Sequence, residues 1–169
     1  ERIRRIRAMS SLFGVNANPM ECWLASRGLR TLPLRMERAS ATAAELATRL
    51  QQHAAIKAVF YPGLAEHGTY RQAQAILPHG YGGMLAFEIE GGGTAVNRLF
   101  HALSATIPFS PTLADARTTV SYPTGTSHKF MTADERAACG IRDGLVRLSV
   151  GLEDADQLFS EISAALNAV

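Results

Sequence analysis

Lysine is almost absent from this chain of 169 residues: Lys57 and Lys129 are the only two, and the other cations are arginines. The net charge of +2 is too small for the electrostatic footprint of a nucleic-acid-binding surface. The one basic cluster, Arg2, Arg4, Arg5 and Arg7, is interrupted by Ile3 and Ile6, so it reads as the polar side of a short helix rather than a basic arm. Cysteine is equally scarce. Cys22 and Cys139 lie far apart without metal-ligand spacing; two free or buried thiols in a reducing compartment are expected, with a disulfide left open. No apolar stretch reaches the roughly 20 residues that cross a bilayer, and no secretory leader is visible. The expected setting is therefore cytoplasmic, with no membrane and no nucleic-acid partner. Catalytic motifs are missing too. The glycines at 82–83 and 91–93 have neither Walker spacing nor a G-x-G-x-x-G pattern and read as turn residues. His53, His67, His79, His101 and His128 include no i, i+4 pair, which argues against a metal site. No G-x-S-x-G elbow presents a serine nucleophile.

What is present suits a globular protein: 47% apolar and 19% charged residues, in a length sufficient for one domain with a sizeable core. Periodicity predicts a helix over 1–13, with Ile3, Ile6 and Phe13 apolar, then a break at 14–19. Asn18 as cap and Pro19 at the first helical position start a second helix, Met20 to Ser26, whose Trp23 and Leu24 are expected to face a core. Leu32, Met36, Ala39, Ala43, Leu46 and Leu50 form one stripe without a phase change, so a single helix is expected despite the capping-box pair Thr42 and Glu45. Strands are predicted at 57–61, 84–90, 106–109 and 118–122, the third bent or at an edge because of Pro108. Helices are predicted at 65–77, 94–103 and 132–139, the last capped by Thr132 with Glu135. Uneven spacing and late strands point to an α+β layer: a mainly antiparallel sheet of four or five strands with helices on one face.

The most informative run is Gly144 to Asp154, GLVRLSVGLED. Val146, Leu148, Val150 and Leu152 alternate on one side of a strand. Arg147 points to the other side, between Leu145 and Ser149. A guanidinium there needs water or an anion, and its planar fork suits a carboxylate. A strand arginine exposed to solvent without any ligand is the plainer reading. Gly151 allows a turn, and Asp154 with Gln157 caps a helix bearing Leu158, Ile162 and Leu166.

This run resembles the C-terminal signature of the pyridoxal-phosphate (PLP) enzymes of cysteine and methionine metabolism. That family contains cystathionine synthases and lyases, methionine γ-lyase and O-acylhomoserine sulfhydrylases. ANPMECWLASRGLRTLPLRM from Ala17, AVFYPGL with His67 and residues 72–75, GGMLAFEIEGG, and TLADARTTVSYPTGTSH resemble further family segments, so the likeness covers almost the whole chain. It implies the C-terminal domain of a fold-type I PLP enzyme of the trans-sulfuration group, a transferase or lyase that is usually a homotetramer. Residues 1–19 would be a linking helix from an N-terminal cofactor domain, and residues 20–169 the substrate-binding domain. The complete enzyme would act by γ-elimination or γ-replacement on a sulfur-containing or O-acylated amino acid, as O-acylhomoserine sulfhydrylases and cystathionine γ-synthases do.

By the same resemblance, Arg147 matches the arginine that binds the substrate α-carboxylate. Thr112 falls where the family usually has Ser or Asn, close to that carboxylate. Ala114 stands where glycine is usual, and Tyr122 replaces a histidine before Pro123. Arg117 occupies a place often held by Glu in cystathionine γ-synthases and methionine γ-lyases, and a basic residue there is more like the sulfhydrylases. The family's PLP lysine lies in a serine-rich loop upstream of the matched part. Lys57 opens a strand and Lys129 lies in a polar loop, so neither has that context. The chain is thus expected to be a fragment with substrate-binding residues Arg147 and Thr112, without catalytic, cofactor-binding or metal-binding residues, and binding no PLP covalently. The alternative is a non-catalytic structural or oligomerisation domain, which Arg147 paired within the protein would favour.

Overall fold

The computed structural model describes residues 1–14 and 17–169; the break expected at 14–19 falls partly on residues 15 and 16, outside the described residues. Contacts divide the chain into two units, Glu1–Leu34 and Arg35–Val169. The first contains α1 (Arg2–Phe13) and α2 (Pro19–Leu29). α2 starts as its sequence dictates: the Asn18 side chain accepts the Glu21 N–H at 2.9 Å, and the Glu21 carboxylate accepts the Asn18 N–H at 2.8 Å. Trp23 and Leu24, expected in a core, are instead each 53% exposed. Neither α1 nor α2 has a buried residue. Periodicity identifies an apolar face but not whether anything covers it.

α3 (Leu32–Leu50) is one helix, as the uninterrupted stripe implies. Its C-terminal half buries Ala43, Leu46, Ala47 and Leu50, while Leu32 and Met36 are exposed. The other helices are α4 (Tyr70–Ile76), α5 (Gly92–Leu103), α6 (Ala133–Ala138) and α7 (Ala155–Asn167). Strands β1 (Ile56–Phe60), β2 (Met84–Ile89), β3 (Thr119–Ser121) and β4 (Leu145–Ser149) form one sheet in the order β1-β2-β4-β3. Every pairing within it is antiparallel, so the α+β expectation holds at the four-strand end of its range.

Two segments differ from expectation. Helix formation is delayed to Tyr70, after Pro62, Gly63 and Gly68, residues that favour turns over helix. Residues 106–109 form no strand; Phe109 makes only an isolated parallel bridge to Val120. Pro108 has no N–H to extend a ladder, although its carbonyl accepts the Val120 N–H at 3.1 Å.

The register explains the core. Leu85 and Val120 both face Leu148, and Phe87 faces Val146. These residues join Ile89, Val150, Val96, Leu99, Leu103, Leu158, Ile162, Leu166 and the buried part of α3 in a single cluster. Helices α3, α5 and α7 therefore cover one side of the sheet. The opposite side presents Ala86, Glu88, Arg147, Ser149, Thr119 and Ser121, none of which belongs to that cluster.

Candidate functional site

Arg147 lies in the middle of β4, the interior strand between β2 and β3. Its cross-strand neighbours are Ala86 and Ser121, small residues that leave space for a guanidinium. While Val146, Leu148 and Val150 are fully buried on the helix side, Arg147 is half-buried on the other. The alternation read from the sequence thus sets its direction. Its Nη2 donates to the carbonyls of Pro111, at 3.3 Å, and Thr112, at 3.2 Å. Its Nε is buried and has no partner.

The segment from Pro108 to Arg117 lies beside this arginine and is fastened at several points. Ser110 N–H donates to the Val120 carbonyl at 2.9 Å, and Leu152 N–H to the Ala116 carbonyl at 2.9 Å. Arg117 Nη2 donates to the Thr106 carbonyl at 2.9 Å. Ala114 N–H donates to Ser149 Oγ at 3.0 Å. Just beyond, the Glu153 carboxylate accepts the Thr118 N–H at 2.6 Å and the Thr118 hydroxyl at 2.7 Å, while Thr118 Oγ1 accepts the Gly151 N–H at 2.9 Å. That carboxylate ties the turn after β4 to the start of β3.

Arg147 and Thr112 are brought together, but through the Thr112 carbonyl. The Thr112 hydroxyl pairs instead with that of Ser110, 2.9 Å away. Ala114 has φ +63°, the one non-glycine in the left-handed region among the described residues, at a position where the resemblance expects glycine. Tyr122 belongs to the helix side. Its hydroxyl donates to the Asp143 carbonyl at 2.9 Å and its ring meets Phe100 edge-on at 6.5 Å; burial raises its pKa. Ser149, Thr118 and Glu153 were not singled out by the sequence. Ser149 carried a signal, since residue i+2 of a strand shares the face of residue i. Thr118 and Glu153, 35 positions apart, carried none.

Neither lysine suits a Schiff base with PLP. Lys57 is engaged by Glu88 at 3.6 Å and Glu90 at 3.4 Å. Lys129 is exposed, with its ammonium 4.8 Å from the Phe130 ring centre. Among the described residues, no group of three His, Cys, Asp or Glu could hold a metal. His53 Nε2 lies 3.1 Å from Ser163 Oγ, but Nδ1 accepts the Ala55 N–H. The ring proton is thereby placed on Nε2, which donates to the serine and cannot act as its base. Cys22 and Cys139 are free and exposed, and no helix among the described residues is long and apolar enough to cross a membrane.

A four-stranded antiparallel sheet with a single helical layer is an arrangement shared with solved PLP enzymes of fold type I. Cystathionine gamma lyase from Micromonospora echinospora superposes with a TM-score of 0.88 at 34% identity, over 97% of this chain and 42% of that one. Cystathionine gamma synthase from Xanthomonas oryzae pv. oryzae, solved with aminoacrylate and cysteine, gives 0.83 at 36% identity, over 93% and 40%. A cystathionine beta-lyase of Bacillus subtilis is 39% identical over 166 residues, 98% of this chain and 42% of its own length. The sequence profile of the Cys/Met metabolism PLP-dependent enzymes matches residues 1–167, and the chain belongs to that family. It spans about two fifths of the length of these relatives.

Proposed function

We propose that this chain is the C-terminal, substrate-binding part of a PLP-dependent trans-sulfuration enzyme, acting on a sulfur-containing or O-acylated amino acid by γ-elimination or γ-replacement. Its contribution is a clamp for the substrate α-carboxylate, made by Arg147 with Thr112 beside it. The observation that carries this reading is Arg147 itself. It stands on an interior strand, on the core-free face, with a buried and unpartnered Nε and no ion pair to a carboxylate among the described residues. A rigid strand fixes the fork, and holding one end of the substrate orients its reacting bonds. PLP, supplied with its lysine by the rest of the enzyme, would provide the electron sink. Residues 1–19 then link the two parts, and the complete enzyme is a cytoplasmic homotetramer.

The two carbonyl bonds made by Nη2 favour a second reading, in which Arg147 only anchors a loop of a non-catalytic domain. Binding of an unreactive amino acid and of the matching amine without its carboxylate, measured on the complete enzyme, separates the two. Under the clamp reading, Arg147→Lys weakens the amino acid roughly 10- to 100-fold, because a bidentate fork becomes a point charge, and leaves the amine unchanged. Equal effects on both ligands would support the loop-anchor reading.

A further inference from the structure

Ser149 is buried on the strand that carries Arg147 and lies between Met84 of β2 and Thr119 of β3. Both neighbours pair with it through the backbone, so its position is fixed by the centre of the sheet. Two residues beyond Arg147, it shares that residue's face. The loop over this face is thereby held by β4 at two places: Arg147 grips the carbonyls of Pro111 and Thr112, and Ser149 Oγ accepts the N–H of Ala114. Ala114 sits in the left-handed region, at φ +63°, which a β-carbon disfavours. A segment in that state relaxes unless an outside group holds it. The bond from Ala114 to Ser149 is made at the strained residue itself.

We propose that Ser149 is the positioning residue of the Arg147 site, an inference that rests on the carboxylate-clamp reading. By holding Ala114 left-handed, Ser149 sets where the Pro111 and Thr112 carbonyls stand. These carbonyls occupy Nη2 and fix the rotation of the guanidinium, so that its remaining donors face a carboxylate. Without the serine oxygen, Ala114 returns to an ordinary backbone state, the two carbonyls move, and the guanidinium loses its reference.

The test uses the complete enzyme with three variants: Ser149→Ala, Ser149→Cys, and Ser149→Ala combined with Ala114→Gly. Hydrogen exchange followed by mass spectrometry reads residues 110–117. Dissociation constants are measured for an unreactive amino acid and for its decarboxylated amine. Ser149→Ala is expected to speed exchange in the loop and to weaken the amino acid roughly tenfold, the worth of about one hydrogen bond, with the amine unaffected. Ser149→Cys, which keeps a weaker acceptor at similar volume, should fall between. Adding Ala114→Gly should restore part of the loss, since glycine adopts the left-handed state freely. An unchanged amino-acid affinity in Ser149→Ala, or equal weakening of both ligands, would overturn the proposal. If Arg147→Lys still discriminates between the two ligands while Ser149→Ala does not, positioning fails and the clamp stands. If neither variant discriminates, both fall.

Discussion

Thr112 meets Arg147 through its main-chain carbonyl, which any residue supplies, while its hydroxyl is engaged by Ser110. Thr112→Ala should therefore disturb amino-acid binding less than Arg147→Lys does. Steady-state kinetics of the two variants in the complete enzyme would check this, and a Thr112→Ala loss equal to that of Arg147→Lys would mean that the hydroxyl itself touches substrate. Leu148, the neighbour of Arg147, shows what the other side of the strand does. It is fully buried between Leu85 and Val120. Leu148→Ala should cost about 2–5 kcal/mol of stability through lost burial and the cavity left behind, seen as a lower denaturant midpoint. One strand thus carries stability on alternate residues and, on those between, the side chains of the proposed clamp.

Among the elements, the helix caps are the most local and the most readable features. Asp154 Oδ1 accepts the N–H groups of Asp156 and Gln157 at the start of α7. At α6, Thr132 and Glu135 cap each other. The Glu135 carboxylate accepts the Thr132 N–H at 2.7 Å and its hydroxyl at 3.0 Å, and these bonds hold its pKa below the ordinary carboxylate value. A depressed pKa in the folded state means that the cap contributes above the unfolded value and is lost as pH falls through the folded one. The first turn of α6 should accordingly fray in acid, with the Thr132 amide resonance following the Glu135 titration. Glu135→Gln should abolish that pH dependence; an acid transition that persists in this variant would place its origin elsewhere. The segments that went differently, 65–69 and 106–109, lack such local determinants or contain residues that oppose regular structure.

At the scale of the whole molecule, the two lysines decide what this chain can do with PLP by itself. Lys57 is paired to two carboxylates and Lys129 is exposed in a loop. Incubating the 169-residue chain with PLP, reducing with borohydride and mapping the peptides should give no stoichiometric label at either position. A reduced adduct at Lys57 or Lys129 formed with enzyme-like stability would show that the chain holds the cofactor itself. The exposed apolar residues of the first unit, Trp23 and Leu24 among them, belong to this scale too, because whether an amphipathic helix is covered depends on what surrounds it.

The sequence by itself determined where the four strands and most of the helices lie, since hydrophobic period, proline and glycine punctuation and capping pairs all act within a few residues. It also determined the direction of Arg147, which follows from strand alternation alone. Only the tertiary structure decided what Arg147 touches: Pro111 and Thr112 stand 36 and 35 positions away, and the loop that brings them is fixed by bonds to β3, to the turn after β4 and to Ser149. The same holds for the tie between Thr118 and Glu153. These contacts join residues distant in the chain through backbone groups and single side chains. Backbone groups are the same at every position and leave no pattern in a sequence, so their partners emerge only when the sheet brings the segments side by side.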